Sequence, residues 1–283
     1  MAADVVPDLQ SLIDAVPDGA TLTLSGDIVV NEAVLIDNRN DLAIVGDGTT
    51  VLHQAAGAQV KMLLVVGGSN ITICDLELAG SRVPTVKGGS GGAGIGVKGT
   101  SGVTLENLYV HDTWGDFVDL DIGLRGDPDL TTRDVLITGN RFERSGRQGV
   151  SISRMIDNVD IVANTMVDSN RATIDIEHSI TTNDILIDQN VIQNFGTAGV
   201  IFGRGGVVTN VVVQRNTVTT GSKALWVNVL ERDPANQVRG LTVCNDVLES
   251  DFAPNDLVGA TEIYTNEPFI SDEPVQECPA LLP

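Results

Sequence analysis

The chain has 283 residues, of which 42% are hydrophobic, and its formal net charge is −21. This length and apolar content suffice for one large core and argue against disorder over most of the chain. Proteins that bind nucleic acids or anionic membranes use clustered Lys and Arg, so the acidic balance argues against both partners.

The N-terminal segment is predicted to form a short amphipathic helix. In PDLQSLIDAVPDG (7–19), one helical face collects apolar residues at the i, i+3, i+4 and i+7 spacing, namely Leu9, Leu12, Ile13 and Val16. The first residues, MAADVVPDLQ, lack the basic and then apolar pattern of a signal peptide, and no run of about 18 apolar residues occurs. We therefore expect neither a secretion signal nor a membrane span in this sequence, although a mature chain or a fragment would look the same.

From residue 70 onward the sequence repeats a unit made of an alternating apolar strand, an Asn or Asp, and a second short strand. The copies are NITICDLELAG (70–80), GVTLENLYVHD (102–112), DVLITGNRFERS (134–145), NVDIVANTMVDS (158–169), DILIDQNVIQNF (184–195), NVVVQRNTVTTG (210–221) and GLTVCNDVLES (240–250). The turn residues are Asp75, Asn107, Asn140, Asn164, Asn190, Asn216 and Asp246. Units this short bury an apolar face only by stacking on one another. We predict that the turn residues adopt left-handed backbone angles and hydrogen-bond between successive units.

These repeats resemble those of the right-handed parallel β-helix proteins of the pectate-lyase-like superfamily, over roughly residues 20–250. The resemblance implies an all-β fold, a single-stranded right-handed parallel β-helix (solenoid) with a short N-terminal capping helix. We expect one domain over residues 1–283, with the cap in 1–19, the coils in 20–250 and the acidic tail 251–283 packed on the solenoid.

One strand of each coil precedes the Asn-bearing segment, and these strands can be aligned. They are GIGVKG (94–99), FVDLDI (117–122), GVSISR (149–154), TIDIEH (173–178), GVIFGR (199–204) and ALWVNV (224–229). Alternate residues of the set are apolar and are predicted to face the core, which turns the residues between them outward. One outward column reads Gly96, Asp119, Ser151, Asp175, Ile201 and Trp226, and the next reads Lys98, Asp121, Ser153, Glu177, Gly203 and Asn228.

This outward face is the candidate site. The predicted catalytic residues are Asp119, Asp121, Asp175, Glu177 and His178, and the predicted substrate-binding residues are Lys98, Arg147, Arg154, Arg204 and Trp226. Coils stack about 4.8 Å apart, so carboxylates two coils apart suit the acid and the base of inverting glycoside hydrolysis. Crowding raises the pKa of a carboxyl group, as a general acid requires. The same oxygens of Asp175 and Glu177 could instead bind Ca²⁺, the one cofactor that we consider.

Space for a ligand on this face is predicted from small residues and from two long connections. The small residues are Gly96, Ser151, Ser153 and Gly203, and the connections are 81–94 and 123–134. One connection enters the outward strands and the other leaves them, so both are expected to wall a groove. Trp226 would provide an apolar ring against which a sugar could stack.

The resemblance implies activity on polysaccharides, because many members of the superfamily are lyases, hydrolases or epimerases of acidic glycans. Several lyases place Ca²⁺-binding acidic residues beside a basic one, which Asp175 and Glu177 with Arg154 or Arg204 would match. However, no Lys follows the acidic pair, and neither the tryptophan-rich signature of pectate lyases nor the Asp-Pro-His element of alginate epimerases is present. No specific enzyme family is therefore matched, and a fold alone does not establish an activity.

Three possibilities remain open for the function. The first is cleavage of a polysaccharide by lyase or glycoside hydrolase chemistry, and the second is a non-catalytic glycan-binding or structural β-helix of a phage tail or cell surface. The third is a β-helix with no glycan role. The first two imply an extracellular, virion or cell-surface protein that is a monomer or a homotrimer.

The three cysteines bear on the compartment. Cys74 lies in a predicted strand, whereas Cys244 and Cys278 lie in the last coil and in the tail. A Cys244–Cys278 disulfide is a hypothesis that would pin the tail and imply an oxidising environment.

Overall fold

The computed structural model describes residues 8–123, 131–177, 181–202, 207–227, 237–244, 246–249, 256–258 and 261–265. Over these residues the chain winds into the predicted right-handed parallel β-helix of about eight turns, with a single short helix near its N-terminus. We call each turn of the solenoid a coil. No helix in the described ranges is both long and apolar enough to cross a membrane.

Each coil contributes one strand to each of three parallel sheets, so strands of successive coils are neighbours. The first sheet consists of Thr21–Leu24, Asn40–Gly46, Ser69–Cys74, Ser101–Glu106, Thr132–Thr138, Ile156–Val162, Thr181–Asp188, Val207–Gln214 and Gln237–Cys244. The second sheet consists of Asp27–Val30, Val51–Gln54, Glu77–Ala79, Tyr109–His111, Arg141–Ser145, Thr165–Ser169, Val191–Phe195, Thr217–Gly221 and Val247–Leu248.

The third sheet carries the candidate site. Its strands are Val34–Asp37, Leu63–Val66, Ile95–Lys98, Val118–Asp121, Val150–Ser153, Ile174–Glu177, Val200–Phe202 and Leu225–Val227. Two tail strands continue it, because Thr261–Thr265 pairs in parallel with Leu225–Val227 and Asp256–Val258 pairs antiparallel with Thr261–Thr265. Cys278 lies outside the described residues, so the disulfide with Cys244 stays a prediction.

The core lies between the three sheets and is built by the alternation that the sequence shows. Among the residues predicted to face inward in the third sheet, those whose side chains the structure describes are buried: Ile95, Val97, Val118, Leu120, Val150, Ile152, Ile174, Ile176, Val200, Phe202 and Leu225. The rings of Phe117 and Phe142 stack 5.3 Å apart between two sheets. Burying each such side chain contributes roughly 1.5–3 kcal/mol of transfer free energy.

The helix Leu9–Ala15 caps the core as predicted. Asp8 accepts a hydrogen bond from the Ser11 backbone nitrogen at 2.7 Å, which satisfies one donor of the first turn. Leu9 and Ile13 are buried in the core cluster. Arg39 donates to the Ile13 carbonyl oxygen at 2.7 Å, so its guanidinium closes the other end of the helix.

The hydrogen-bonded ladder of turn residues forms, but its Asn residues do not have the left-handed backbone angles predicted for them. The Asn190 Oδ1 atom accepts from the Asn164 backbone nitrogen at 2.9 Å and from Asn164 Nδ2 at 3.0 Å, and the pattern continues through the buried series Asn140, Asn164, Asn190, Asn216 with Asp246 at its end. The left-handed angles belong instead to the preceding residues, with φ of 64, 57, 57 and 55° at Gly139, Ala163, Gln189 and Arg215. The preceding residue makes the turn, which leaves the Asn side chain directed inward.

The two earliest ladder assignments are wrong by one residue. Glu106 pairs with Thr138, so Asn107 is level with Gly139, and Leu108 takes the ladder position. The Leu108 backbone nitrogen donates to Asn140 Oδ1 at 2.9 Å. Asp75 and Asn107 have φ of 58 and 51° and belong to the left-handed column. The repeat spacing cannot distinguish these two columns because both favour Asn.

Candidate functional site

The register of the third sheet places the first outward column as predicted. The pairs run Gly96 to Asp119, Asp119 to Ser151, Ser151 to Asp175, Asp175 to Ile201 and Ile201 to Trp226. In the second column Asp121 pairs with Lys98, and Glu177 pairs with Ser153. Asp119 and Asp175 therefore lie two strands apart with a serine between them.

Asp175 and Glu177 share one amide donor. Gln148 Nε2 donates to Asp175 Oδ2 and, at 2.7 Å, to Glu177 Oε1. Because both oxygens are within hydrogen-bonding reach of a single nitrogen atom, the two carboxyl groups are close neighbours on the same strand. Arg147 Nη2 lies 2.8 Å from each oxygen of Glu177. Both oxygens of Glu177 therefore accept from one charged nitrogen atom, and such a charge-assisted contact favours the carboxylate form of Glu177.

The two carboxyl groups differ in their exposure and charge. Asp175 is buried, with 8% of its surface exposed, whereas the Glu177 side chain is 26% exposed. Burial, and then the charge of Glu177, raise the pKa of Asp175 well above its ordinary value. The pair thus combines a carboxyl group that retains its proton with a neighbouring carboxylate, which is the combination that acid-base catalysis uses.

Asp116 completes this cluster and is a residue that the sequence reasoning missed. It is fully buried, and it accepts from Arg147 Nη1 at 2.6 Å and from the Gln148 backbone nitrogen at 2.9 Å. Arg147 therefore bridges Asp116 and Glu177. Burial raises the pKa of Asp116 to about 7, although Arg147 opposes the shift. Its position directly before an aligned strand, level with Gln148 of the next coil, was the available clue.

Replacing Asp116 with Asn is expected to change how stability depends on pH. The pKa is about 7 in the folded chain against 3.8 for the ordinary carboxyl, so between these values the folded state holds a proton that the unfolded state has lost. The wild type should therefore lose stability relative to Asp116→Asn as the pH rises through this window, by at most about 1.4 kcal/mol per pH unit. Urea unfolding of both proteins from acidic to neutral pH measures the free energy of unfolding of the wild type minus that of Asp116→Asn. If this value stays constant or rises with pH, the raised pKa of Asp116 is contradicted.

Three further ion pairs lie on the same face. Arg154 Nε donates to Asp121 Oδ1 and Arg154 Nη2 to Asp121 Oδ2, both at 2.8 Å, and Lys98 Nζ lies 3.6 Å from Asp121 Oδ2. Half of the Arg154 side chain is exposed, so this predicted binding residue is open to solvent. Asp119 is buried and pairs with Lys61, which the sequence reasoning also missed because it lies outside the aligned strands.

The space predicted above Gly96 is occupied by the chain itself. A Cβ atom at Gly96 would lie 2.5 Å from Lys61 Cδ, so the glycine makes room for the lysine side chain and not for a ligand. Lys61 Nζ also donates to the Ser90 carbonyl oxygen at 3.2 Å. Ser90 lies in the predicted wall 81–94, and this connection therefore covers the Asp119 end of the face. Residues 124–130 of the second predicted wall lie outside the described residues.

Trp226 is the predicted substrate-binding residue at the far end of the outward face. Trp226 packs against Ala172, Ala198 and Ile201, and Lys223 Nζ lies 3.3 Å from the centroid of its ring. His178 and Arg204 lie outside the described residues, so their predicted roles stay predictions.

The arrangement at Asp175 and Glu177 does not fit a calcium ion. Calcium requires six to eight oxygen ligands, whereas here an amide nitrogen and a guanidinium group occupy the positions beside the carboxyl oxygens. In the part of the chain that the structure describes, no group of three or more His, Cys, Asp or Glu side chains could hold a metal.

Comparisons with known proteins agree with the fold. The model of the family described as "Right handed beta helix region" matches residues 31–239. The comparison with curated protein sequences gives no match. Among solved structures, the Dettilon tailspike protein has a TM-score of 0.65 and 15% identity, covering 87% of this chain and 48% of that one.

Two other solved structures are similar. Pre-mature bacteriophage phi29 gene product 12 has a TM-score of 0.54 and 11% identity, over 92% of this chain and 46% of that one. The catalytic domain of a GH87 alpha-1,3-glucanase in complex with tetrasaccharides has a TM-score of 0.50 and 10% identity, over 89% of this chain and 64% of that one. The chain thus spans about half the length of the two phage proteins. At these identities the likeness shows the fold alone.

Proposed function

The chain belongs to the right-handed β-helix family, and we propose that it cleaves a polysaccharide on the outward face of its third sheet. The observation that carries the proposal is the pair formed by Asp175 and Glu177. One member is buried with a raised pKa, the other is partly exposed and bonded to Arg147, and one amide group holds both.

In this proposal Asp175 is the general acid and Glu177 is the carboxylate that acts as base or nucleophile. Carboxyl groups about 5 Å apart suit retaining hydrolysis, whereas inverting enzymes need room for a water molecule between them. Because one Gln148 nitrogen reaches both carboxyl groups, they are too close for a water molecule to act between them, and this separation favours the retaining mechanism. Arg147 and Gln148 hold the pair in position, so we assign Arg147 to positioning and not to substrate binding.

The substrate contacts that we propose lie on both sides of the pair. Arg154 is half exposed and Lys98 is partly exposed, and both flank Asp121. Trp226 lies on the other side, two coils from Glu177 along the sheet. A polymer lying along the sheet would contact all of these groups. Support for a glycan comes from the shared fold of a tailspike protein and of an alpha-1,3-glucanase that binds tetrasaccharides.

A second candidate is a non-catalytic glycan-binding or structural β-helix of a phage tail or cell surface. The observation that favours it is that Asp116, Asp119 and Asp121 are buried and ion-paired, as in a purely structural network. With either function, we propose an extracellular, virion or cell-surface setting, with one domain and a monomeric or trimeric state.

The test is a panel of neutral and uronic polysaccharides incubated with the full chain, with and without Ca²⁺. New reducing ends together with ultraviolet absorbance of an unsaturated product would indicate a lyase, and reducing ends alone would indicate a hydrolase. Binding without cleavage by the wild type would replace the enzyme proposal with the second candidate. Absence of both binding and cleavage across the panel would overturn the glycan proposal.

A further inference from the structure

A groove lies at the corner where the second sheet turns toward the third, and it has a volume of about 640 Å³. Asp168, Asn194 and Thr220 line it from equivalent positions on three successive coils, as do Asn170, Gly196 and Ser222. Arg82 and Pro84, from the connection before the third sheet, also line it. Among the described residues that line this groove, none is a carboxyl group of the third sheet.

We infer that this groove is a separate binding site for a neutral oligosaccharide that lies parallel to the solenoid axis. The direction follows from the repeat, because equivalent residues of successive coils are stacked about 4.8 Å apart. That spacing is comparable to the length of one sugar unit in an extended chain. Asp168 and Asn194 therefore present polar side chains on successive coils, at an interval that a polymer of sugars can match. The Thr220 hydroxyl is engaged by the protein, because it accepts from the Asn194 backbone nitrogen at 3.0 Å and donates to the Thr219 carbonyl oxygen at 2.7 Å.

The groove contains polar groups that the protein itself leaves available. The Arg82 backbone nitrogen donates to the Asp112 carbonyl oxygen at 2.7 Å, but the structure gives its guanidinium group no partner among the described residues. Among these residues the Asp168 carboxylate and the Ser222 hydroxyl also have no hydrogen-bond partner. By contrast, Arg144 at the same end is engaged by Asp112, at 2.7 and 2.8 Å.

Unpaired groups of both charges favour a ligand with hydroxyl groups. A hydroxyl group can accept a hydrogen bond from Arg82 and donate one to Asp168, whereas an anionic ligand would be repelled by Asp168. Pro84 is exposed and offers an apolar ring to the face of a sugar. A peptide would need an apolar anchor pocket, and the one aromatic residue of the described lining, Phe195, is buried in the core.

The test uses hexasaccharides of cellulose, xylan and alpha-1,3-glucan, with those of homogalacturonan and alginate as acidic probes. The nitrogen-labelled full chain is titrated at millimolar concentration, and amide shifts are followed by NMR. We expect a neutral hexasaccharide to shift the amides of Asn170, Asn194 and Gly196. Arg82→Ala should weaken that binding roughly tenfold, which is the loss of one charged hydrogen bond.

Two matched controls separate the groove from general effects on the chain. Asn194→Gly removes a groove side chain at φ 55°, and Asn158→Gly makes the same change at φ 55° on the first sheet. Glycine adopts this conformation without strain, so both variants should fold. Only Asn194→Gly should weaken binding, and Arg133→Ala should likewise bind as the wild type does.

Failure of this inference is distinguishable from failure of the proposed function. The Asp175→Asn/Glu177→Gln protein should keep the groove shifts with unchanged affinity even where cleavage is lost. The inference is overturned if none of the neutral hexasaccharides shifts these amides, if Arg82→Ala binds as the wild type does, or if the acidic probes bind better than the neutral ones.

Discussion

Asp175→Asn is expected to lower the rate of polysaccharide cleavage by about 10²- to 10⁴-fold, the usual contribution of a general acid. Asn keeps the shape and can still accept from Gln148, but it has no proton to give to the leaving oxygen. The loss should appear mainly in kcat, because Asp175 is buried and offers little surface for substrate binding. Initial rates on the substrate found in the panel measure it.

The pH profile supplies an independent check of this role. In the wild type, the rate should fall as the pH rises through the raised pKa of Asp175, because the acid then loses its proton. That limb of the profile should be absent from the residual activity of Asp175→Asn. The matched control is Asp160→Asn. Asp160 is a carboxyl on a strand of the first sheet, and burial likewise raises its pKa, although its side chain is only partly buried. Equal rates in the two variants would remove Asp175 from the mechanism.

Asn190→Ala is expected to lower the free energy of unfolding by about 3 kcal/mol or more. The substitution leaves the Asn164 backbone nitrogen without its acceptor and removes the Asn190 amide that donates to the Ile161 carbonyl oxygen at 2.8 Å. Asn164 Nδ2 loses one acceptor but keeps the Ile137 and Val162 carbonyl oxygens. Each buried polar group left unpaired costs about 1–3 kcal/mol. Equilibrium unfolding in urea measures the loss.

The control for the ladder is Asn183→Ala. Asn183 lies on a strand of the same coil, is partly exposed and accepts one hydrogen bond from Thr209. Its replacement should cost less than about 1 kcal/mol, as is usual for surface positions. If the two variants were equally stable, the ladder would be a consequence of the fold and not a source of its stability.

The repeat pattern by itself determined the stacking of the coils and the outward columns, and the apolar stripe of Leu9, Leu12, Ile13 and Val16 determined the capping helix. A strand has a side-chain period of two, so the alternation around Asp119 and Asp175 predicts which residues leave the core. Stacking of equal coils then predicts which residues become neighbours across strands. Both inferences need only local periodicity, and the register confirms them.

The tertiary structure alone decided which charged groups meet. Lys61 and Asp116 lie outside the aligned strands and reach the site from connecting segments, whose paths no periodicity describes. The space above Gly96 is filled by Lys61 for the same reason. The raised pKa of Asp175 likewise depends on burial and on Glu177 and Arg147 around it. Sequence periodicity therefore determined the scaffold, whereas long side chains from irregular segments determined the chemistry of the candidate site.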